Sequence, residues 1–202
     1  MAEQFGSTTI ILNCEVDQIL ISEEDDVWST LEKCAIPNFI LNGSSRRGWQ
    51  GLAIHELCQI SKTRDLSFLY GSLCVHGNWR FVDEKYDLGI CVYAFDSDGI
   101  RNAVTSLDRL IQWIRSNVDL VSNIKLINSD VGPSGVAQAV TSAQISSYPA
   151  QNSPQGDDGD DPWYLFSFLL SIYKVMSEAL ELGKSVLHVS TVGWDLRDSW
   201  AD

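Results

Sequence analysis

The chain has 202 residues, and its acidic side chains outnumber the basic ones by 27 to 14, for a formal charge of −13. This balance argues against nucleic acid as a partner, because binding to a phosphate backbone depends on lysine and arginine. It argues equally against attraction to an anionic membrane surface. Hydrophobic residues make up 45% and charged residues 20%, a composition typical of a globular domain and not of a disordered chain.

The first part of the chain alternates strand and helix patterns. Residues 8 to 21 are rich in isoleucine, leucine and valine and predict one or two strands. Ser22 is followed by four acidic residues and predicts a helix bounded by Pro37, since carboxylates in the first turn complement the helix dipole. Residues 36 to 41 form a short apolar segment before a predicted turn, and helical spacing of apolar residues predicts a second helix over 49 to 61.

The middle of the chain predicts an antiparallel sheet followed by a helix. Residues 67 to 95 contain short runs that alternate or are apolar on both faces, as strands are. A third helix is predicted to begin at Asp98 and Gly99 and to end near Asn117, because its apolar residues recur on one stripe. Residues 126 and 127 are expected to add another short strand.

The composition changes between residues 129 and 161 to glycine, proline, serine, alanine, glutamine and aspartate. Such a segment buries little apolar surface, so we expect a flexible connection that is most sensitive to protease at about 146 to 160, with a short amphipathic turn at about 136 to 145. Pro162 then predicts the start of a fourth helix and Gly183 its end, because proline is favoured at the first helical position and glycine after the last. Residues 185 to 192 predict a final strand.

These elements predict a single α+β domain, with a mainly antiparallel sheet covered by about four helices, because strands and helices are interspersed without regular alternation. Residues 1–128 would form the α+β core, and 129–161 the flexible connection. Residues 162–202 would add the core helix, the final strand and a tryptophan-containing tail to the same domain. The longest apolar stretch, 163 to 173, is shorter than the about 20 residues that a membrane-spanning helix needs, so we expect no membrane insertion.

The five cysteines stand singly along the chain, and their number is odd. Since all lie in apolar or periodic segments, we expect buried, reduced thiols rather than a disulfide framework. The first residues show no basic region leading into an apolar run, as a secretory signal would. We therefore expect a reducing cytoplasm, of the protein's own cell or of a host cell. The cysteines are Cys14, Cys34, Cys58, Cys74 and Cys91.

One constellation of histidine and cysteine offers metal ligands. His55 and Cys58 would share a helix face, Cys74 and His76 a strand face, and zinc accepts all four. Their spacing is not that of a standard zinc site, so we favour two structural thiols beside two partly exposed histidines. A nucleophile pair of Cys74 with His55 or His188 has no local sequence support. We expect no catalytic residue, no metal and no cofactor.

Three groups of residues are candidates for binding a partner. Arg46, Arg47 and Trp49 would form a small cationic and aromatic patch, since arginine and tryptophan are favoured interface anchors; the alternative, which is favoured, is a solvated turn beside a core tryptophan. Trp194 and Trp200 lie in an acidic tail where burial in a core is difficult. The third group is an acidic run that does not match an EF-hand calcium loop. It contains Asp157, Asp158, Asp160 and Asp161.

These features favour a non-enzymatic intracellular protein that binds a basic protein partner through acidic and aromatic surface, as an inhibitor, an immunity-type protein or an adaptor. One alternative is a viral or other assembly or matrix-like structural protein that self-associates. The other is a small hydrolase or thiol enzyme with an unfamiliar site. The order of elements resembles the core of rhabdovirus-type matrix proteins, although this acidic chain departs from their basic membrane-facing surface. Acidic single-domain antitoxins and immunity proteins are similar in size and charge.

Overall fold

The computed structural model describes residues 4–19, 33–46, 49–64, 66–70, 79–83, 88–144 and 162–192. Within these ranges the strands are β1 (Gln4–Leu12), β2 (Ala35–Arg46), β3 (Trp79–Asp83), β4 (Leu88–Phe95) and β5 (Val186–Val192). The helices are α1 (Trp49–Ser61), α2 (Ser97–Ser116), α3 (Val118–Ser122), α4 (Lys125–Asn128), α5 (Gly132–Ser142) and α6 (Pro162–Glu181). Short 3₁₀ turns lie at Val16–Gln18 and Ser67–Leu69.

The strands form one antiparallel sheet in the order β2-β1-β5-β4-β3. The last strand in the chain, β5, therefore lies in the middle, between β1 and β4. Val186, Leu187 and Val189 of β5 are fully buried, so both faces of this strand are covered. A strand buried on both faces reads as a near-continuous apolar run, which is why the sequence pattern identified it.

The two faces of the sheet carry two separate apolar clusters, since successive side chains of a strand point to opposite sides. Ile11 of β1 and Cys91 of β4 belong to the main core, which also contains the buried faces of α1, α2 and α6. Ile10 and Val92, one position away on the same strands, belong to a smaller cluster on the opposite face. The structure thus confirms the predicted α+β fold with an antiparallel sheet and helices.

Helix α2 matches the predicted third helix closely. The Asp96 side chain caps it by accepting a hydrogen bond from the Gly99 backbone N–H at 2.8 Å, so the helix begins at Ser97. It ends at the Asn117 cap, as expected. Its apolar stripe is buried and contains Ile100, Ala103, Leu107, Leu110, Ile111 and Ile114.

Helix α6 is the most deeply buried helix of the described part of the chain. Leu165, Leu169, Ile172 and Met176 are at most 1% exposed, and buried positions occur around most of its circumference. It packs against both α2 and α5. The prediction that this helix is a central core element is confirmed. Among the described helices, none is both long enough and apolar enough to cross a membrane.

Several local predictions differ from the structure. The predicted turn at residues 42 to 45 is instead the continuation of β2, in which Asn42 pairs with Thr8 of β1. Cross-strand hydrogen bonding there outweighs the local turn preference of asparagine and glycine. Residues 126 and 127 lie in helix α4 and not in a strand. Phe68 and Leu69 lie in a 3₁₀ turn, where both can be buried, whereas a strand would place them on opposite faces.

A helix, α5, lies inside the segment 129–161 that was predicted to be a flexible connection. Val136, Ala139 and Val140 recur at helical spacing and pack into the main core, so this part does bury apolar surface. Residues 145–161 lie outside the described residues, as does nearly all of the helix predicted to begin at Ser22. The predictions for both segments stay predictions.

Candidate functional site

The structure describes part of the predicted cationic and aromatic patch. Arg46 is the last residue of β2 and Trp49 the first of α1, while Arg47 lies outside the described residues. The partly buried Trp49 ring packs against the main core, and its indole N–H donates a hydrogen bond to the Leu126 carbonyl at 3.1 Å. Trp49 therefore connects the start of α1 to α4, so this side chain has a structural role.

The other candidates for partner binding lie outside the described residues and stay predictions. They are Trp194, Trp200, Asp157, Asp158, Asp160 and Asp161.

Acidic and basic residues are equal in number among the side chains that the structure describes. The described acidic side chains are Glu15, Glu56, Asp96, Asp98, Asp108, Asp119, Asp130, Glu178 and Glu181. The described basic side chains are Lys33, Lys62, Arg64, Arg101, Arg109, Arg115, Lys125, Lys174 and Lys184.

Within this balanced part, some opposite charges are paired along the helices. Arg101 lies beside Asp98 on α2, and Lys174 is 3.2 Å from Glu178 on α6. Both pairs follow helical spacing, which brings side chains three or four residues apart together. The acidic residues of the chain are densest in the runs 23–26 and 157–161.

A buried polar network occupies the centre of the sheet on its helix-facing side. The Nδ1 atom of His188 lies 2.8 Å from the Thr9 hydroxyl, and its Nε2 atom lies 3.2 Å from the Ser190 hydroxyl. Thr9 and Tyr93 are the residues opposite His188 on the two neighbouring strands. His188, Thr9 and Ser190 are all at most 1% exposed. This group cannot be recognised along the sequence, because its members come from opposite ends of the chain.

The network is sealed from solvent. The Phe68 ring meets the His188 ring edge-on, with 5.1 Å between ring centroids. Burial lowers the pKa of His188 to about 3, and a hydrogen bond with the Phe68 backbone opposes this only in part. At neutral pH the imidazole is therefore uncharged.

Ser190, His188 and Thr9 are connected in the same order as the nucleophile, base and orienting group of a catalytic triad. Their chemistry, however, does not suit catalysis. A general base works best when its pKa lies near the operating pH, and a pKa of about 3 lies far below it. Thr9 is neutral, so it cannot stabilise an imidazolium as the carboxylate of a catalytic triad does. Ser190 is buried, so a substrate cannot reach its hydroxyl. The geometry instead supports a structural role in which satisfied hydrogen bonds hold β5 between its neighbours.

The structure describes two of the four residues in the predicted histidine and cysteine constellation. His55 of α1 is partly exposed, and its ring meets Tyr70 edge-on at 4.9 Å. Cys58 is buried in the main core, and this burial raises its pKa to about 11 while a hydrogen bond with Tyr70 lowers it in part. A thiol with so high a pKa is a poor metal ligand, because zinc binds the thiolate. Cys74 and His76 lie outside the described residues.

In the part of the chain that the structure describes, no three histidine, cysteine, aspartate or glutamate residues are grouped so that they could hold a metal ion. An apolar hollow with a volume of about 20 Å³ lies between α2, α5 and α6, lined by apolar side chains and Arg115. Small-molecule sites are usually larger than this and present several convergent polar groups.

The two partly exposed cysteines, Cys14 and Cys34, form a pair that is not apparent from the sequence. Cys14 follows β1 and Cys34 immediately precedes β2, so the pairing of these strands brings them together. The expectation of buried thiols holds for Cys58 and Cys91 but not for these two. A prediction that β1 and β2 are neighbours would have revealed the pair.

Together the fold and these sites define an acidic α+β protein with a polar network buried at the centre of its antiparallel sheet. No protein-family model, no curated protein and no solved structure matches this chain.

Proposed function

We propose that this protein is a non-enzymatic intracellular binding protein, an inhibitor, immunity-type protein or adaptor that engages a basic protein partner through acidic and aromatic surface. The distribution of charge carries the proposal. Acidic residues outnumber basic ones by 27 to 14, and they are densest in the runs 23–26 and 157–161.

This distribution matters because exposed charges interact over a limited range, about 8 Å at physiological ionic strength. Opposite charges spaced over a balanced surface cancel at that range. A run of four acidic residues concentrates negative charge along the chain, and such a concentration attracts and steers a basic partner. The same charge repels nucleic acid and anionic membranes, so a basic protein is the partner class that fits best.

A reducing cytoplasm suits the cysteines. Those that the structure describes form no disulfide, and Cys58 and Cys91 are buried in the main core, where they act as small apolar side chains. This supports the proposed location within the cell, either the protein's own or that of a host.

Charge neutralisation with a matched control tests the proposal. One variant replaces the first acidic run (Glu23→Gln, Glu24→Gln, Asp25→Asn and Asp26→Asn). The control removes the same number of charges from exposed framework positions (Asp98→Asn, Asp119→Asn, Asp130→Asn and Glu181→Gln). Association rates with a lysine-rich peptide are measured at low and at physiological salt, with a glutamate-rich peptide as the negative probe.

We expect the first variant to associate about tenfold more slowly at low salt, and the control to change less than about twofold, because only the first loses a concentrated field. Equal losses in both variants would show that net charge alone matters and that the acidic runs have no binding role. Sedimentation of the full chain over a range of concentrations tests the self-association alternative. Stable dimers that persist at high salt would favour assembly over capture of a basic partner.

A further inference from the structure

Cys14 and Cys34 meet where β1 ends and β2 begins. The Asn13 backbone N–H donates a hydrogen bond to the Cys34 carbonyl at 2.9 Å, one step beyond the paired residues Leu12 and Ala35. The Asn13 side-chain amide also reaches the Ala35 carbonyl at 3.5 Å. Backbone contacts therefore hold the two cysteine-bearing segments together without any bond between their sulfur atoms.

The two thiols are free, partly exposed and within hydrogen-bonding reach of each other. Both pack against the smaller core cluster on one face of the sheet. Burial raises the pKa of the Cys14 thiol, and the neighbouring Cys34 thiol raises it further, as expected for groups that would carry like charge at close range. Cys58 and Cys91 differ from them, because both are buried.

We propose that Cys14 and Cys34 are a redox modification site, which closes to a reversible disulfide when the protein meets a small-molecule disulfide such as oxidised glutathione. One cysteine thiolate attacks a sulfur of the small disulfide and releases the first small thiolate. The second cysteine thiolate then attacks the protein sulfur of the mixed disulfide and releases the second. The two cysteines are oxidised, the small disulfide is reduced to two thiols, and these take up the two protons that the cysteines lose.

The disulfide would close residues 14–34 into a covalent ring. This ring contains the acidic run 23–26, so oxidation would tie both ends of a segment that the proposed function uses for binding. The effect on binding rests on the proposed function, whereas the disulfide itself depends only on the geometry of the two cysteines. A cross-link of this kind constrains the unfolded chain and so favours the folded state.

Peptide mapping of the native, full-length protein tests the proposal. The protein is incubated with oxidised glutathione, its remaining thiols are alkylated, and it is digested without reduction for mass spectrometry. We expect a cross-linked peptide joining Cys14 to Cys34 that dithiothreitol removes. Cys58 and Cys91 should be alkylated only after denaturation, which provides a control within the same molecule. Stable glutathione adducts on both Cys14 and Cys34, or the pairing of either with Cys74, would overturn the proposal.

Two variants separate the disulfide from other effects of oxidation. Cys14→Ser and Cys34→Ser should each leave glutathione trapped on the remaining cysteine. Oxidised wild type should melt about 5 °C or more above its reduced form, and neither variant should show this shift. The same shift in a variant would attribute the stabilisation to another site. Should a variant fail to fold, the peptide map of the wild type still decides, because it needs no substitution.

Discussion

His188 is a base held in its neutral form by burial. Its ring nitrogens meet the hydroxyls of Thr9 and Ser190, and its pKa falls to about 3 from an ordinary value of 6.5. An unfolded chain would protonate this histidine at mildly acidic pH while the folded protein would not. Stability therefore depends on pH in a direction set by this difference.

His188 has a lower pKa in the folded protein than in the unfolded chain. We predict that the stability linked to this pKa difference is fully present above about pH 6.5 and is lost as the pH falls toward 3. The largest slope is about 1.4 kcal/mol per pH unit, because one proton separates the folded from the unfolded state. Urea unfolding of wild type and of His188→Gln between pH 7 and pH 4.5 measures it. The variant should be less stable at pH 7 and should lose less stability on acidification. Parallel curves for the two proteins would contradict the assignment.

At the scale of a single element, the start of helix α2 depends on one carboxylate, that of Asp96. Asp96 accepts a hydrogen bond from the Gly99 N–H, one of the backbone donors that have no partner within the helix. We predict that Asp96→Ala lowers the free energy of unfolding by about 1 kcal/mol, while Asp96→Asn, which keeps an acceptor, changes it by a few tenths. Chemical denaturation measures both. An equal loss in the two variants would mean that charge matters there more than the cap.

The buried face of α6 is a second case at this scale. Leu169 is 1% exposed, so Leu169→Ala removes buried volume that its neighbours can only partly refill. We predict a loss of about 2–5 kcal/mol in the free energy of unfolding. Leu182, just beyond the same helix, is 48% exposed, and Leu182→Ala should cost less than about 0.5 kcal/mol. A loss below about 1 kcal/mol for Leu169→Ala would show that this face is not a packed core.

At the scale of the whole molecule, we predict that steering and anchoring are separable. Association with a basic partner should slow markedly from low to physiological salt, since screening weakens the acidic field. Dissociation should instead accelerate in Trp194→Ala and Trp200→Ala, because aromatic anchors dominate binding energy. Surface plasmon resonance with the wild type and both variants gives the two rates. Unchanged dissociation in both variants would remove the tail from the interface and leave Arg46, Arg47 and Trp49 as the next candidates.

The elements that could be predicted are those with a sustained period. Helices α2 and α6 repeat apolar residues at helical spacing over several turns, and β5 is a short apolar run bounded by turn residues. The path of β2 through residues 42 to 45 could not be predicted. Asparagine, glycine and serine favour a turn locally, and only the hydrogen bonds to β1 make the extended form more stable.

The sequence by itself determined the fold class, the buried helices and the excess of acid, because composition and periodicity are local properties of the chain. Only the tertiary structure decided which distant residues meet. Thr9 and His188 are 179 positions apart and become neighbours because β5 inserts beside β1. Cys14 and Cys34 meet because β1 and β2 pair. Strand pairing is set by the burial of whole faces and by hydrogen bonds between segments, and neither is visible along one stretch of sequence.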